Sequence, residues 1–420
     1  MQKRAILSSF SKIQKNLSFE SVCMKIIERI TYIDKLQRLK DSREIKVITG
    51  VRRAGKSQLL LDIAMRARQE KANVIHLDLS DLENEPLLEY HRLNDYVLNH
   101  TVENARNVLL IDEVQECKGF EKAINSLYNK NKYDIYLSGS NAFLLSSDLA
   151  TLFTGRQIEI PVFPFSFSEY AVYYDEEKDM EALFDRYVIE GGLAGSYIYS
   201  EQQDRIAYIK ELFHTILNRD LVQKFRLTEP AVLRHLAEYL MDNVGNLTSP
   251  NKSATQLVQN KISTNHVTAA NYLEYLMQAF LFYPVKRYDI RGKRYLSTIE
   301  KFFLCDLGFR YAILGQRNMD YGHAYENLVL LELLRRGYEV YVGKLYDLEV
   351  DFIAMHGSEK IYIQVSDDIS SSETFQRELA PLGKIHDAYP KLLIARTRHP
   401  ETDHEGIRII NLVDWLLENG

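Results

Sequence analysis

Residues 48 to 61 read ITGVRRAGKSQLLL, and Gly50-Val51-Arg52-Arg53-Ala54-Gly55-Lys56-Ser57 within them matches G-x-x-x-x-G-K-[ST]. Such a loop wraps an anion with inward-pointing backbone N–H groups, and the helix that follows adds its own donors and dipole. Lys56 would reach the β- and γ-phosphates of a nucleotide, and the Ser57 hydroxyl would ligate Mg²⁺. The complementary half is Val108-Leu109-Leu110-Ile111-Asp112-Glu113. An apolar strand carries Asp112 to the edge where ligands sit in open α/β sheets, as a metal-holding carboxylate. Glu113 follows as the group to polarise an attacking water. Adjacent Asp and Glu favour hydrolysis over transfer to a second substrate. Ser138-Gly139-Ser140-Asn141 ends the next strand, and Ser140 or Asn141 is the candidate to report a γ-phosphate. The competing reading makes those residues an N-cap for a helix at 142–152. Arg156 is a candidate for stabilising transition-state charge, within its own chain or in a neighbouring subunit; a plain surface arginine is the alternative.

These residues need a scaffold. Runs 45–49, 73–79, 107–112, 133–137 and 157–162 read as buried strands, separated by helical stretches such as 56–70 and 119–130. Short apolar strands alternating with helices predict a parallel sheet covered on both faces. Residues 166–225 turn helical, with a Gly-Gly break at 191–192. Helices near 231–243, 253–260 and 264–280 then precede two strands flanking Asp289-Ile290-Arg291-Gly292, the order of a winged helix-turn-helix. In the third helix Val267, Ala270, Leu273, Leu276 and Met277 read as core, leaving Asn265, His266, Thr268 and Asn271 exposed. From about 320 come a long helix, β-rich runs at 338–345, 349–355 and 360–366, a helix, and a strand near 391–396.

The hairpin carries Lys286, Arg287, Arg291, Lys293 and Arg294 against Asp289 alone, with Tyr288 and Tyr295 between them. That is a compact positive wing suited to the phosphates of double-stranded DNA, or to an acidic protein partner.

The chain has 420 residues, 46% hydrophobic and 26% charged, with a net charge of −6. It is long enough for two to four domains and too acidic to coat nucleic acid wholesale. Cys23, Cys117 and Cys305 share no metal or disulfide spacing, which fits a reducing compartment. The first thirty residues carry no secretory pattern, and no run reaches the ~20 apolar residues of a membrane span. The expectation is a cytoplasmic protein without a membrane partner.

The loop, LLIDEVQ, LSGSNAFLLS, LFTGRQIEIPVFPFSFSEY and EGGLAGSY, in that order, resemble prokaryotic AAA-type ATPases of the archaeal ATPase kind. KRYDIRGKRYL and FLCDLGFRYAILG resemble the C-terminal region of unknown function that accompanies them. The resemblance implies ATP rather than GTP, and the guanine-reading Asn-Lys-x-Asp is not found. Residues 325–366 resemble the PD-(D/E)XK nuclease fold, whose acids would fall on Glu326, Asp351 and Gln364 and whose lysine would fall on Ser366. Glutamine brings no charge and serine no ammonium, so the resemblance implies a nuclease-like fold without cleavage.

The expected fold class is α/β: a P-loop NTPase parallel sheet with helical lid, then a winged helix-turn-helix, then a small α/β nuclease-like domain. The boundaries fall at 1–170 with a helical lead-in, 171–227, 228–318 and 319–420. Three functions follow. The first is a Mg²⁺-dependent ATPase that moves its C-terminal domains, in a homo-oligomer if Arg156 acts across subunits. The second is a slow nucleotide-gated switch for a protein partner, and the third an ATP-coupled metal nuclease.

Overall fold

The computed structural model describes residues 25–140, 155–316, 320–398 and 401–418. Cys23, Asn141 and the expected helix at 142–152 lie outside them.

The first sheet is fully parallel, ordered β2-β3-β4-β1-β5, from β1 (Ile45–Thr49), β2 (Asn73–Asp78), β3 (Asn107–Asp112), β4 (Tyr133–Gly139) and β5 (Gln157–Pro161). Its inner strands are mostly apolar because helices cover both faces, and a buried charge pair among them, Lys46 of β1 with Asp134 of β4, is neutralised at 2.7 Å. α1 (Ile30–Arg38) and α2 (Lys56–Gln69) cover one face; α3 (Tyr90–Asn99) and α4 (Phe120–Asn129) cover the other. This is the P-loop NTPase fold. Ligand-facing loops leave the C-terminal ends of β1, β3 and β4.

A helical segment follows: α5 (Phe167–Tyr173), α6 (Met180–Glu190), α7 (Gln202–Thr215) and a π-helical run, Ile216–Gln223. Ser166 and Glu169 form a capping box that starts α5. Next come α8 (Pro230–Asp242), β6 (Leu247–Thr248), α9 (Pro250–Gln259), α10 (His266–Gln278) and the hairpin of β7 (Phe282–Asp289) and β8 (Arg294–Leu304). Ala269, Tyr272, Leu273 and Leu276 form the buried stripe of α10. Val267, expected in the core, is 55% exposed, because the helix begins only at His266 and Asn265 is its N-cap. The Asn265 side chain accepts from the N–H groups of Val267 and Thr268 and so is occupied in capping.

The hairpin is not a free-standing wing. β7 pairs with β8 on one side and, in parallel, with β9 (Glu339–Leu345) on the other. One nine-stranded sheet results, ordered β13-β14-β12-β11-β10-β9-β7-β8-β6, with β10 (Leu348–His356), β11 (Glu359–Ser366), β12 (Lys391–Ala395), β13 (Thr402–His404) and β14 (Ile407–Asn411). It runs across the expected boundary at 318/319. Between β8 and β9 lie α11 (Leu307–Leu314) and α12 (Tyr321–Arg335), the latter buried continuously from Ala324 to Leu333. α13 (Ser372–Gly383) and α14 (Leu412–Leu417) complete the chain. Among the described residues no helix is long and apolar enough to cross a membrane. Cys117 and Cys305 are buried free thiols.

Two sequence motifs of no evident chemistry meet in this core. Asp306, in FLCDLGF, accepts from the backbone N–H groups of Gly192 and Gly308. Gly191 has φ +72°, and a Cβ there would lie 1.9 Å from Asp306 Oδ1, so the Gly-Gly break exists to admit this carboxyl. Burial pushes the Asp306 carboxyl up to about 7, despite those two donors. Because the folded value exceeds the unfolded one, the folded state holds a proton that the unfolded chain releases between about pH 4 and pH 7. The associated stability is full below about pH 4 and is lost as pH rises through 7. At ~1.4 kcal/mol per unit it is worth at most a few kcal/mol. Chemical denaturation across pH 4–8 should show that downward slope, and Asp306→Asn should flatten it. An unchanged slope in the variant would assign it elsewhere.

Candidate nucleotide site and a buried carboxylate cluster

The phosphate loop is built on glycines that nothing else could replace. Gly50 has φ +141°, and a Cβ there would lie 2.0 Å from the Val162 carbonyl oxygen. Gly55 has φ +96° and starts α2 in the left-handed region. Lys56 is buried, and its Nζ donates to the carbonyls of Gly50 (2.9 Å) and Val51 (3.1 Å). Burial pushes its pKa down from the ordinary lysine value, opposed by Glu113 and Asp112. Ser57 stands exposed in the first turn of α2.

Asp112 is buried at the end of β3, and its Oδ1 accepts from the Ser138 hydroxyl and the Glu113 N–H. Glu113 has φ +48°, a conformation few glutamates adopt, which turns its side chain off the strand. Its Oε2 accepts from the Ser140 hydroxyl (3.1 Å) and N–H (3.4 Å), and from the Gln115 amide. Ser140 is thus brought to Glu113. The Ser57 hydroxyl and the Asp112 carboxylate are hard oxygen donors of the kind that suit Mg²⁺.

Arg156 is not brought to this site. Its carbonyl accepts from Ile45 N–H, which places it at the start of β1, the opposite end from Gly50. Its guanidinium lies over the Tyr128 ring at 5.0 Å and donates to Asn129.

Three contacts at the loop have no local sequence signal. Arg52 makes a two-point ion pair with Asp220 of the π-helical run, at 2.7 and 2.9 Å. Arg53 donates to the Tyr208 hydroxyl of α7 at 3.1 Å. Arg29, buried, pairs at two points with Glu169 of the capping box and donates to the carbonyls of Ala54 and Phe163. The loop is therefore fixed from below by Arg29 and tied to the helical segment by its own two arginines. π-helical turns are rare and concentrate at functional positions; this one carries Asp220.

The other constellation lies at the C-terminal sheet. Glu326 of α12 and Asp351 of β10 are buried and close. Ser366 brings no ammonium, as expected from its residue type, and the one that reaches these acids belongs to Lys301 of β8. Its Nζ lies 3.0 Å from Glu326 Oε2 and 2.8 Å from Glu349 Oε1. Burial disfavours the charged form, but Glu326, Asp351 and Glu349 together hold the Lys301 pKa above the ordinary value. Burial raises the Glu326 and Asp351 pKa values. Gln364 accepts from Asp351 N–H and donates to Glu378, and Ser366 donates to the Asp368 carbonyl. Both side chains are engaged in hydrogen bonds within the chain. Among the described residues no group of three or more His, Cys, Asp or Glu is arranged to hold a metal.

Lys286, Arg291, Lys293 and Arg294 are exposed on the hairpin and Arg287 is half-buried. Tyr288 is half-buried and lies opposite Tyr295 in the hairpin, their rings 5.4 Å apart. With Ile290 it packs onto the core around Leu345, Val350 and Tyr362.

Residues 42–171 match a family described as AAA domain, and residues 181–320 match a domain of unknown function, DUF8612. An uncharacterized protein of Haemophilus influenzae is 36% identical over 400 residues, 94% of this chain and 99% of that one. One of Methanocaldococcus jannaschii is 26% identical over 392 residues, 89% of this chain and 87% of that one. Among solved structures, AMPPCP-bound DnaA from Aquifex aeolicus is 16% identical, with a TM-score of 0.30, over 59% of this chain and 87% of that chain. The Aeropyrum pernix ORC1 protein in complex with DNA is 11% identical, with a TM-score of 0.32, over 76% and 96%.

Proposed function

The chain belongs to one family with the Haemophilus influenzae protein and carries an AAA domain, and from that premise we propose that it binds ATP with Mg²⁺ and hydrolyses it, the nucleotide state moving its C-terminal region on DNA. The observation that carries this reading is Glu113, turned off β3 and held by Ser140 beside the phosphate loop. In that position it takes a proton from the attacking water. Lys56 would bind the phosphates, and Asp112 and Ser57 would hold Mg²⁺, whose charge would offset that on the phosphate oxygens. Arg156 has a role in catalysis only across a subunit boundary.

Movement follows from the loop's own contacts. Arg52 cannot keep both oxygens of Asp220 and also turn its guanidinium to a phosphate, so nucleotide at the loop competes with the π-helical run for the same group. The helical segment connects onward through Gly192 and Asp306. α8 to α10 with the β7–β8 hairpin act as a winged helix that presents cations to DNA. The remainder acts as a nuclease-like unit without cleavage, its cluster filled by the Lys301 ammonium. The same Arg52–Asp220 contact favours a second reading, a slow nucleotide-gated switch serving a protein partner.

ATP hydrolysis with and without double-stranded DNA tests the choice. DNA should stimulate turnover, and Lys56→Ala should weaken ATP binding about 10- to 100-fold, as loss of a charged hydrogen bond does, and abolish the stimulation. Slow turnover indifferent to DNA would favour the switch, and unaltered ATP binding in Lys56→Ala would remove the loop assignment.

A further inference from the structure

The β7–β8 turn and the β9–β10 turn lie side by side, because Asp289 is in register with Lys344 and Ile290 N–H donates to the Lys344 carbonyl. Two tyrosines stand out from this edge. Tyr295 is 60% exposed and Tyr346 is 57% exposed. Cations stand on the same edge: the Arg291 guanidinium lies 5.1 Å from the Tyr346 ring centre, and Arg294, next to Tyr295 in the strand, projects from the opposite face and faces Asp289 across the hairpin. Among the described residues Lys286, Arg291 and Lys293 have no carboxylate within ion-pair distance, while Asp289 lies 3.5 Å from Arg294. Tyr346 has φ +56°, an unusual conformation for an aromatic residue that lifts it out of the turn. Beneath, Tyr288 and Ile290 are half-buried against the core, and the Tyr295 ring lies beside Tyr341 at 5.1 Å and Tyr288 at 5.4 Å. The platform is cationic and aromatic.

Exposed cations alone would serve a duplex, whose phosphates are outside and whose bases are paired and stacked on one another. Exposed aromatic rings between cations add something a duplex cannot use, a flat face for an unpaired base. A protein partner of acidic character would use the cations without calling for two ring faces. We infer that the paired turns bind a single-stranded polynucleotide, with bases stacked on Tyr295 and Tyr346 and phosphates held by Arg291, Lys293 and Arg294. This builds on the proposed contact between the hairpin and DNA and narrows it to unpaired strands.

Fluorescence anisotropy with the full chain tests it, using a labelled mixed-sequence 20-mer as single-stranded DNA, as single-stranded RNA and as DNA duplex. Single strands should bind about tenfold or more tightly than duplex, and Tyr295→Ala with Tyr346→Ala should weaken them about 10- to 100-fold with duplex binding unchanged. Tyr295→Phe with Tyr346→Phe should restore single-strand binding, since it keeps the ring faces. Arg291→Gln with Lys293→Gln should weaken every polynucleotide. The DNA and RNA arms separate the two sources of a single strand. Equal binding of duplex and single strands, indifferent to the tyrosines yet lost with the cations, would overturn the inference while leaving DNA contact standing. Binding of none at low salt, by protein that still binds ATP, would overturn both.

Discussion

Glu113→Gln is expected to bind ATP as the parent chain does and to turn it over about 10²- to 10⁴-fold more slowly, the contribution of a positioned general base. The amide has the shape of the carboxylate and still accepts from the Ser140 hydroxyl, so the left-handed backbone at residue 113 and the end of β3 keep their geometry. What is removed is the capacity to take a proton. Binding is read from a fluorescent ATP analogue and turnover from phosphate release under single-turnover conditions, which separates chemistry from product release. Undiminished release would take the water-activating role away from Glu113. A parallel loss of binding would show instead that the substitution had disturbed Asp112, whose Oδ1 accepts from the backbone N–H of residue 113.

The loop was legible in the sequence because its chemistry is contiguous: eight residues fix the backbone, the ammonium and the hydroxyl at once. The order of apolar runs likewise set out the parallel sheet, since strands covered on both faces are mostly apolar and the Lys46–Asp134 exception is an ion pair. The contacts that hold the loop were not legible. Arg29 is 140 residues from Glu169, and Arg52 is 168 from Asp220. Charged residues at such separations look in sequence like ordinary surface. Tyr288 interleaves with the cations in sequence, but pairing of β7 with β9 leaves it half-buried against the core beside the exposed Tyr295. Arg156 lies at the wrong end of the sheet for the site. A residue just before a parallel strand sits at the strand's N-terminal edge, and ligands sit at the C-terminal edge.

Lys301→Met is expected to be the most destabilising single change at the C-terminal sheet, about 3–5 kcal/mol, as when one partner of a buried ion pair is removed. The methionine fills the same volume but leaves Glu326 and Asp351 buried without the ammonium. Both carboxyls already titrate above the ordinary range through burial, and without Lys301 they rise further. The variant should therefore recover stability as pH falls and the acids protonate, and lose it as pH rises through their folded values. The parent chain should also lose stability at the alkaline end, there through deprotonation of the lysine. Its raised Lys301 pKa contributes stability below the ordinary lysine value, and that contribution is lost as pH rises through the folded value. Adding Glu326→Gln to Lys301→Met should return much of the lost stability, because a neutral amide needs no counter-charge. Thermal unfolding of the parent, Lys301→Met, Glu326→Gln and the double variant reads the coupling. A cost below about 1 kcal/mol for Lys301→Met would place the pair among weakly contributing ion pairs. The ammonium would then not be what neutralises the cluster, and Mg²⁺- or Mn²⁺-dependent cleavage lost in Asp351→Ala would become the reading to pursue.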